Sequence, residues 1–164
     1  MTLEIRPLRA ADVQAVFELH LAAAAGDSGL AREPDEIALD FVEGFLAKAT
    51  LALGAFEDGA LAGEIHVYRM GPRQFSHVLT ELTVAVHPGF QGRGVGARLF
   101  EALFAEAAKL SPPVERVELM VREGHAHALR LYQRLGFEIE GRFPGRVRLA
   151  DGTVETDLAM GKFL

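Results

Sequence analysis

Cysteine is absent from the sequence. This absence excludes a disulfide framework, a thiolate metal site and a cysteine nucleophile. Also missing is any apolar run that approaches the roughly 20 residues needed by a membrane-spanning helix. Residues 1–6 lack the basic and then apolar layout of a secretory signal peptide. From these absences we expect a cytoplasmic protein that does not act at a membrane.

Positive charge is scarce. The 164 residues include 17 Lys and Arg against 23 Asp and Glu, a formal net charge of −6. Nucleic-acid-binding proteins need a basic surface, so this balance argues against a nucleic-acid partner. It mildly favours a cationic substrate such as an amine, although the same charge is ordinary for solubility. The length and the 49% hydrophobic content fit one domain over residues 1–164.

What the sequence does contain is a glycine-rich stretch between a predicted strand, 78–87, and a predicted helix, 95–110. Such a loop directs several backbone N–H groups and the positive end of the helix dipole at one place. Glycine also lets an anion approach the backbone closely. The pattern therefore predicts a phosphate-binding site. Its residues are Gln91, Gly92, Arg93, Gly94, Val95, Gly96 and Ala97.

A tight turn, a P-loop and a dinucleotide-binding loop fit this stretch less well. The glycines alone would suit a tight turn. A P-loop needs Lys and then Ser or Thr after its last glycine, but Gly96 is followed by alanine, which excludes it. The dinucleotide fingerprint G-x-G-x-x-G/A is formally met by Gly92, Gly94 and Ala97. It usually follows a strand directly, whereas here residues 88–92 intervene, so dinucleotide binding is kept as an alternative.

Two motifs resemble those of the GNAT superfamily of N-acetyltransferases. Gln91-x-x-Gly94-x-Gly96 is similar to the family's acetyl-CoA signature, Q/R-x-x-G-x-G/A. Further along the chain, residues 128–137, with the sequence ALRLYQRLGF, resemble its second signature, A-x-x-L-Y-x-x-x-G-F. The two motifs in this order are much more specific than either alone. The resemblance implies an α/β fold with a mixed, mostly antiparallel central sheet of about seven strands, flanked by about four helices.

The hydrophobic periodicity predicts the order βααββ-β-α-β-α-ββ, with hairpin turns at 58–59 and 151–152. In the family the sheet opens between its fourth and fifth strands, and acetyl-CoA enters that opening. The resemblance assigns these strands to 78–87 and 114–121. It also implies that the loop 26–36, between the first two helices, borders the acceptor pocket and sets specificity.

The resemblance further implies how acetyl-CoA is held. The backbone of Val84 and Val86 would pair with pantetheine amides, and N–H groups at a bulge around Val84 would hold the oxyanion. The N–H groups of 93–97 would take the pyrophosphate, with the Arg93 side chain adding charge. His125 replaces an asparagine that often bonds the cofactor. The implied cofactor-binding residues are Val84, Ala85, Val86, Gln91, Gly92, Arg93, Gly94, Val95, Gly96, Ala97 and His125.

Transfer of an acetyl group to an amine requires a base and an acid. An alkyl amine is only about one part in a thousand neutral at pH 7. Glu81 is the expected base, with Thr83 and Ala85 on the same face of its strand. Tyr132, at the position of the signature tyrosine, is the expected acid, because a phenol is protonated at neutral pH and can protonate a departing thiolate.

Histidine is not expected to build a metal site. His125 and His127 diverge at the start of a helix, and no third ligand is evident. We expect His20 to lie partly covered at the edge of an apolar helix face. His66 is expected to be structural or solvent-facing.

The predicted function is direct transfer of an acetyl group from acetyl-CoA to a primary amine of a small molecule or an amino acid. The tail, 137–153, is similar to the family branch that acts on such substrates. A protein N-terminal acetyltransferase and a non-catalytic acyl-CoA-binding module remain as alternatives. The resemblance also implies a homodimer joined through the terminal strands.

Overall fold

The computed structural model describes residues 2–26 and 29–164. Within them the strands are β1 (Leu3–Pro7), β2 (Leu51–Glu57), β3 (Ala60–Arg69), β4 (Val78–Val86), β5 (Arg116–Arg122), β6 (Glu138–Arg148) and β7 (Val154–Phe163). The α-helices are α1 (Val13–Ala24), α2 (Leu39–Lys48), α3 (Val95–Ala107) and α4 (Ala126–Arg134). None of the helices in this part of the chain combines the length and the apolar character needed to cross a membrane.

The strands form one sheet in the order β1-β2-β3-β4-β5-β7-β6. Every neighbouring pair is antiparallel except β4 and β5, which are parallel. The predicted fold, a mixed and mostly antiparallel seven-stranded sheet with four helices, is therefore confirmed.

The β2–β3 hairpin shows why the local sequence predicts the fold so well. Its turn residues, Asp58 and Gly59, have φ values of 50° and 83°. Two successive positive φ values are what a tight two-residue hairpin requires, and Asp-Gly tolerates them. The turn fixes the register of β3, and so decides which of its side chains reach each face of the sheet.

The helices cover both faces of the sheet. On one face, α3 buries Val95, Leu99, Leu103 and Ala107, residues at helical spacing. On the other face, α1 and α2 pack together through a smaller apolar cluster that includes Val16, Val42 and Phe45. The helix α3 ends at Ala107 rather than at residue 110 as predicted, because the N–H groups of residues 109 and 110 bond three residues back in tighter turns.

The sheet opens between β4 and β5. Their pairing is confined to Val78 with Arg116 and Leu79 with Val117. Beyond these pairs β4 continues to Val86 and β5 to Arg122. The two strands therefore separate as they extend, and the candidate active site lies in this opening.

A bulge interrupts β4 just inside the opening. Thr80 pairs with Tyr68, and Thr83 pairs with His66, so Glu81 and Leu82 together oppose a single residue of β3. Glu81 has a φ of 51°, which is uncommon for a residue with a side chain. The expected bulge around Val84 thus lies earlier in the strand. The predicted alternation of Glu81 with Thr83 is wrong, because the extra residue shifts the pleat.

Candidate active site

Two cavities flank the opening between β4 and β5, and they meet at Val84, His125 and Tyr132. The glycine-loop cavity, about 830 Å³, is lined on one side by Gln91, Gly92 and Gly94–Ala97. The aromatic cavity, about 550 Å³, takes its name from the rings of His20, Phe41, Phe45, His66, Tyr68 and Tyr132. These three shared residues mark the junction of the two cavities.

The glycine-rich loop presents backbone donors to its cavity. Gly92 and Gly94 have φ values of 74° and 76°, the left-handed region that glycine adopts without strain. Gly94 caps α3 without a side-chain hydrogen bond. The first N–H groups of a helix have no partner within it, so those of residues 95–97 face outwards at the positive end of α3. This geometry suits a pyrophosphate.

The separation of β4 from β5 leaves backbone groups of β4 facing the opening. His87 donates its N–H to Ala62 of β3 over 2.9 Å. Backbone direction alternates along a strand, so Ala85 also faces β3, whereas Val84 and Val86 face the side where β5 has diverged. Both valines line the glycine-loop cavity. Their peptide groups can therefore pair with an extended ligand as a strand would.

Most of the predicted cofactor residues line the glycine-loop cavity. Two are placed elsewhere. Ala85 is 2% exposed and packs near Leu19 and Ala23, on the far face of the sheet. The Arg93 guanidinium bonds Glu57 Oε1 over 2.7 Å. Those lining the cavity are Val84, Val86, Gln91, Gly92, Gly94, Val95, Gly96, Ala97 and His125.

The displacement of Arg93 has a simple cause. Glu57, at the end of β2, offers a carboxylate close to the loop, and the ring of Phe90 lies 5.1 Å from the guanidinium carbon. The arginine charge is thus already partly neutralised, and the side chain is not among those lining the cavity. Its predicted contribution of charge to the phosphate site stays a prediction.

Tyr132 lies where the two cavities meet. It is 8% exposed and contacts Phe100 and Phe137 edge-on, with ring centroids 5.6 and 6.1 Å away. Burial raises the pKa of Tyr132 to about 12. Because a phenol with such a pKa keeps its proton throughout the physiological range, Tyr132 is suited to donate a proton rather than to accept one.

Glu81 is an exposed residue at the mouth of the aromatic cavity. Burial raises the pKa of Tyr68, which lines the same cavity, and the negative charges of Glu81 and Glu64 raise it further. Among the described residues Glu81 has no ion-pair partner. Its carboxylate is therefore free to meet a cation that enters the cavity.

The sequence prediction missed a buried cluster of three residues on α1 and β3. His20 Nε2 lies 2.7 Å from Glu64 Oε1, and His66 Nδ1 lies 3.1 Å from both oxygens of Glu64. The exposed fractions are 3% for His20, 0% for Glu64 and 4% for His66. Burial opposes ionisation of Glu64, but the two histidines together lower the pKa of its carboxyl to about 2.

The signal for this cluster was present in β3. Glu64, His66 and Tyr68 occupy alternate positions, separated by the core residues Ile65 and Val67. A run of polar side chains on one face of a buried strand requires partners on the element packed against it. His20 is that partner, but its position on α1 could not be matched to β3 without the tertiary structure.

His125 lies at the junction of the two cavities and is covered by the loop before α2. A Cβ on Gly29 would lie 2.5 Å from His125 Nδ1, so the loop before α2 rests directly against the ring. Leu30, Ala31 and Arg32 of this loop line the aromatic cavity. The predicted specificity loop, 26–36, therefore borders this cavity in its described part. Residues 27 and 28 lie outside the described residues.

Metal coordination finds no support in the described ranges, 2–26 and 29–164. They hold no group of three or more His, Cys, Asp or Glu side chains placed to bind a metal ion. In the cluster of His20, Glu64 and His66 the direct hydrogen bonds leave no room for a cation between the side chains.

Comparison with known proteins places the fold in a family. The profile of the acetyltransferase (GNAT) family matches residues 14–137. A Streptococcus pneumoniae acetyltransferase of the GNAT family superimposes with a TM-score of 0.88 at 24% identity, over 99% of this chain and 100% of the other. The Salmonella typhimurium protein yncA, solved with its cofactor acetyl-CoA, gives 0.82 at 22% identity, over 100% and 95%. At such identities the likeness is one of fold.

Sequence similarity to curated proteins is more local. Bacillus subtilis spermine/spermidine N(1)-acetyltransferase is 40% identical over 52 residues, which span 32% of this chain and 34% of that enzyme. Such relatives are thus matched over only about a third of their own length. The family profile covers more than half of the chain, and the protein therefore belongs to the acetyltransferase (GNAT) family, as its two sequence motifs indicated.

Proposed function

We propose that the protein transfers the acetyl group of acetyl-CoA directly to a primary amine of a small molecule or an amino acid. The observation that carries this proposal is the meeting of the two cavities at Val84, His125 and Tyr132. One cavity suits a phosphorylated, extended ligand and the other an amine. Their junction is where a thioester and an amine would come into contact.

Acetyl-CoA would lie along β4. The pyrophosphate would accept hydrogen bonds from the N–H groups of residues 95–97, at the start of α3. The pantetheine amides would pair with the backbone of Val84 and Val86, which faces the open side of the strand. The fold shared with yncA, a protein that was solved with acetyl-CoA, supports the same cofactor here.

The transfer itself needs a proton donor for the departing sulfur and a hydrogen-bond donor for the oxyanion. The neutral amine attacks the thioester carbonyl carbon, and a C–N bond forms while the carbonyl oxygen gains negative charge. The Val84 N–H would stabilise this oxyanion. As the C–S bond breaks, Tyr132 would give its phenolic proton to the sulfur. No covalent cysteine intermediate can form, since the chain has no cysteine.

Deprotonation of the amine is a separate requirement. At pH 7 the neutral form of an alkyl amine lies about 4 kcal/mol above the ammonium form. Glu81 is the proposed carboxylate for this step. At the mouth of the aromatic cavity it would attract the cation and receive the released proton through water.

The aromatic cavity favours a small cationic acceptor. Its volume of about 550 Å³ suits a small ligand, and aromatic faces attract ammonium groups. Glu81, Glu118 and Glu140 also line it. The local similarity to a spermine/spermidine acetyltransferase supports an amine substrate. Acetylation of protein N-termini is the alternative and would require the same junction to admit a peptide backbone.

A homodimer through the terminal strands is also proposed. The edge strand β6 and its neighbour β7 expose Ile139, Phe143 and Val154, and Phe163 is 75% exposed. An apolar group of this kind at a sheet edge favours association. Sedimentation velocity of the full chain, and of Phe143→Glu as the disrupting variant, would measure it. The cytoplasmic location stays a prediction.

The test of the proposed function is thiol release from acetyl-CoA against amino acids, polyamines, aminoglycosides and short peptides, with product masses measured. Turnover of one class with a mass gain of one acetyl group is the expected result. Turnover of peptides alone would support the N-terminal alternative. If no amine reacts although CoA raises the melting temperature, the binding-module alternative stands. Binding of NAD without CoA would revive the dinucleotide alternative.

A further inference from the structure

The cluster of His20, Glu64 and His66 fixes the chemical state of its own members. An ionised carboxylate only accepts hydrogen bonds, so each ring nitrogen that touches Glu64 must be a donor. His20 therefore carries a proton on Nε2, and His66 carries one on Nδ1. When the His66 ring is neutral, its remaining lone pair is on Nε2.

That lone pair faces the aromatic cavity. His66 lines this cavity, whereas Glu64 lies behind the His66 ring and is not among the lining residues. Within the described part of the chain, Nε2 of His66 has no hydrogen-bond partner. In the same residues, every side-chain nitrogen or oxygen that is sealed from solvent does have a partner, so Nε2 is not sealed. Nε2 must therefore open on the cavity, which is where the acceptor amine would lie.

The ring is also held in this orientation from three sides. Phe45 stacks against it, with centroids 4.0 Å apart and planes 11° from parallel. Tyr68 meets it edge-on at 5.9 Å, and Glu64 anchors Nδ1. A ring flip would break the bond to Glu64 and leave a buried carboxylate short of a donor, which is costly. The orientation with Nε2 outwards is therefore fixed.

We propose that His66 accepts the proton of the acceptor's ammonium group at Nε2, with Glu64 as its positioning residue. This inference rests on the proposed acetyl transfer and adds a step before it. The ammonium N–H bond breaks, its electron pair stays on the amine nitrogen, and the proton forms a new bond to Nε2. The resulting imidazolium is stabilised by the ionised Glu64. The proton then leaves through water towards Glu81 at the cavity mouth.

Several charged or titratable groups surround His66 and act on this step. From β3 these are Glu64 and Tyr68, and from α1 there is His20. Glu81 of β4 and Arg32 of the loop before α2 line the same cavity as His66. Imidazole titrates nearer to neutral pH than a carboxylate, which is what a general base working at pH 7 requires. The Glu64 carboxylate, hydrogen-bonded to Nδ1, keeps the other ring nitrogen directed at the cavity.

The test uses a variant that keeps the cluster's hydrogen bond. In His66→Asn the side-chain amide can still donate to Glu64, but no nitrogen remains to accept a proton. His77→Asn is the matched control, since His77 lines neither cavity. The full chain and its best amine are assayed for kcat and kcat/KM from about pH 6 to about pH 10, with CoA affinity measured separately by calorimetry.

We expect His66→Asn to lower kcat/KM at pH 7 by about 100-fold or more, which is typical of a lost general base. The deficit in kcat/KM should shrink as the pH approaches the pKa of the amine, because the amine then loses its proton without a base. The CoA affinity should stay within about twofold. Glu64→Gln should also shift the acidic limb of the profile, and His77→Asn should not. A deficit that is constant at all pH values would show a packing role and overturn the proposal.

A second measurement does not depend on activity. Nitrogen-15 NMR of the histidine rings in the wild-type chain should show the Nδ1–H tautomer for His66, assigned by comparison with His66→Gln. The Nε2–H tautomer would overturn the proposal, because Nε2 could then accept nothing. Absence of acetyl transfer in the wild type would instead refute the proposed function on which the step rests.

Discussion

Gly29 lies directly against the imidazole of His125. A Cβ built on Gly29 would come within 2.5 Å of Nδ1 and 2.7 Å of Cε1. The contact joins the loop before α2 to the start of α4, across the place where the two cavities meet. Because Gly29 also has a φ of 74°, a side chain there would be strained as well as crowded.

Gly29→Ala should therefore displace this loop and loosen the acceptor side of the site. We expect KM for the amine to rise severalfold, whereas CoA affinity should change by less than about twofold, since the glycine-rich loop is untouched. Gly71→Ala is the control, because a Cβ there meets nothing within 4 Å. An unchanged KM for the amine would mean that the contact does not shape the acceptor site.

Tyr132→Phe should lower kcat by about 100-fold or more while CoA affinity stays within about threefold. The ring packing against Phe100 and Phe137 is kept, so the loss would report the missing proton donor. With a pKa of about 12, Tyr132 should add no basic limb to the rate profile below about pH 10. Tyr68→Phe removes the chain's other phenol, which lines only the aromatic cavity, and should lower kcat less. Near-wild-type turnover of Tyr132→Phe would contradict the acid role.

Gly94→Glu should weaken CoA binding by about 100-fold or more. The residue has a φ of 76° and lines the glycine-loop cavity, and a Cβ there meets nothing within 4 Å, so a carboxylate would extend towards the proposed phosphate site and repel the ligand. Gly44→Glu adds the same charge on α2, where a Cβ also meets nothing within 4 Å, and should leave binding unchanged. Calorimetric titration with CoA measures both variants, and retained affinity in Gly94→Glu would rule the loop out.

Glu81→Gln should depress the rate most at low pH. The amine is then most fully protonated, and the carboxylate at the cavity mouth is most needed to receive its proton. We expect roughly a tenfold loss of kcat/KM near pH 6.5 and little loss near pH 9. Glu101→Gln, an exposed carboxylate on α3, is the control. A pH–rate profile identical to that of the wild type would remove Glu81 from the mechanism.

Ionisation of Glu64 should make the unfolding free energy of the protein depend on pH in the acidic range. Although burial opposes its ionisation, His66 and His20 lower the pKa of Glu64 from 4.5 to about 2 in the folded state. A lowered folded-state pKa stabilises the fold above the unfolded pKa, and this stabilisation is lost as the pH falls from about 4.5 to about 2. The shift corresponds to about 3 kcal/mol of unfolding free energy.

Urea unfolding of the wild type and of Glu64→Gln between about pH 2.5 and about pH 6 would measure this contribution. The wild type should be the more stable at pH 6, and the difference should narrow as the pH falls. A difference that stays constant over the range would show that the ionised state of Glu64 does not contribute.

Local residue patterns were sufficient to predict most of the fold. The Asp58–Gly59 turn, the apolar spacing of α3 and the glycine-rich loop each act through neighbours in the chain. The two signature motifs were enough to indicate the family. Prediction of the site was less complete. Alternation failed in β4 because a bulge at Glu81 shifts the pleat, and the side chain of Arg93 is bound by Glu57 from β2.

The sequence by itself thus determined the order of elements, the glycine-rich loop before α3 and the place of Tyr132 on α4, since these follow from hydrogen bonds and hydrophobic spacing within one segment. Only the tertiary structure decided the opening of the sheet and the residues that face it. His20 and Glu64 are 44 positions apart, yet their side chains are joined by a 2.7 Å hydrogen bond. Such a contact depends on how α1 packs against β3, because a buried carboxylate is stable only where a distant element brings it a donor.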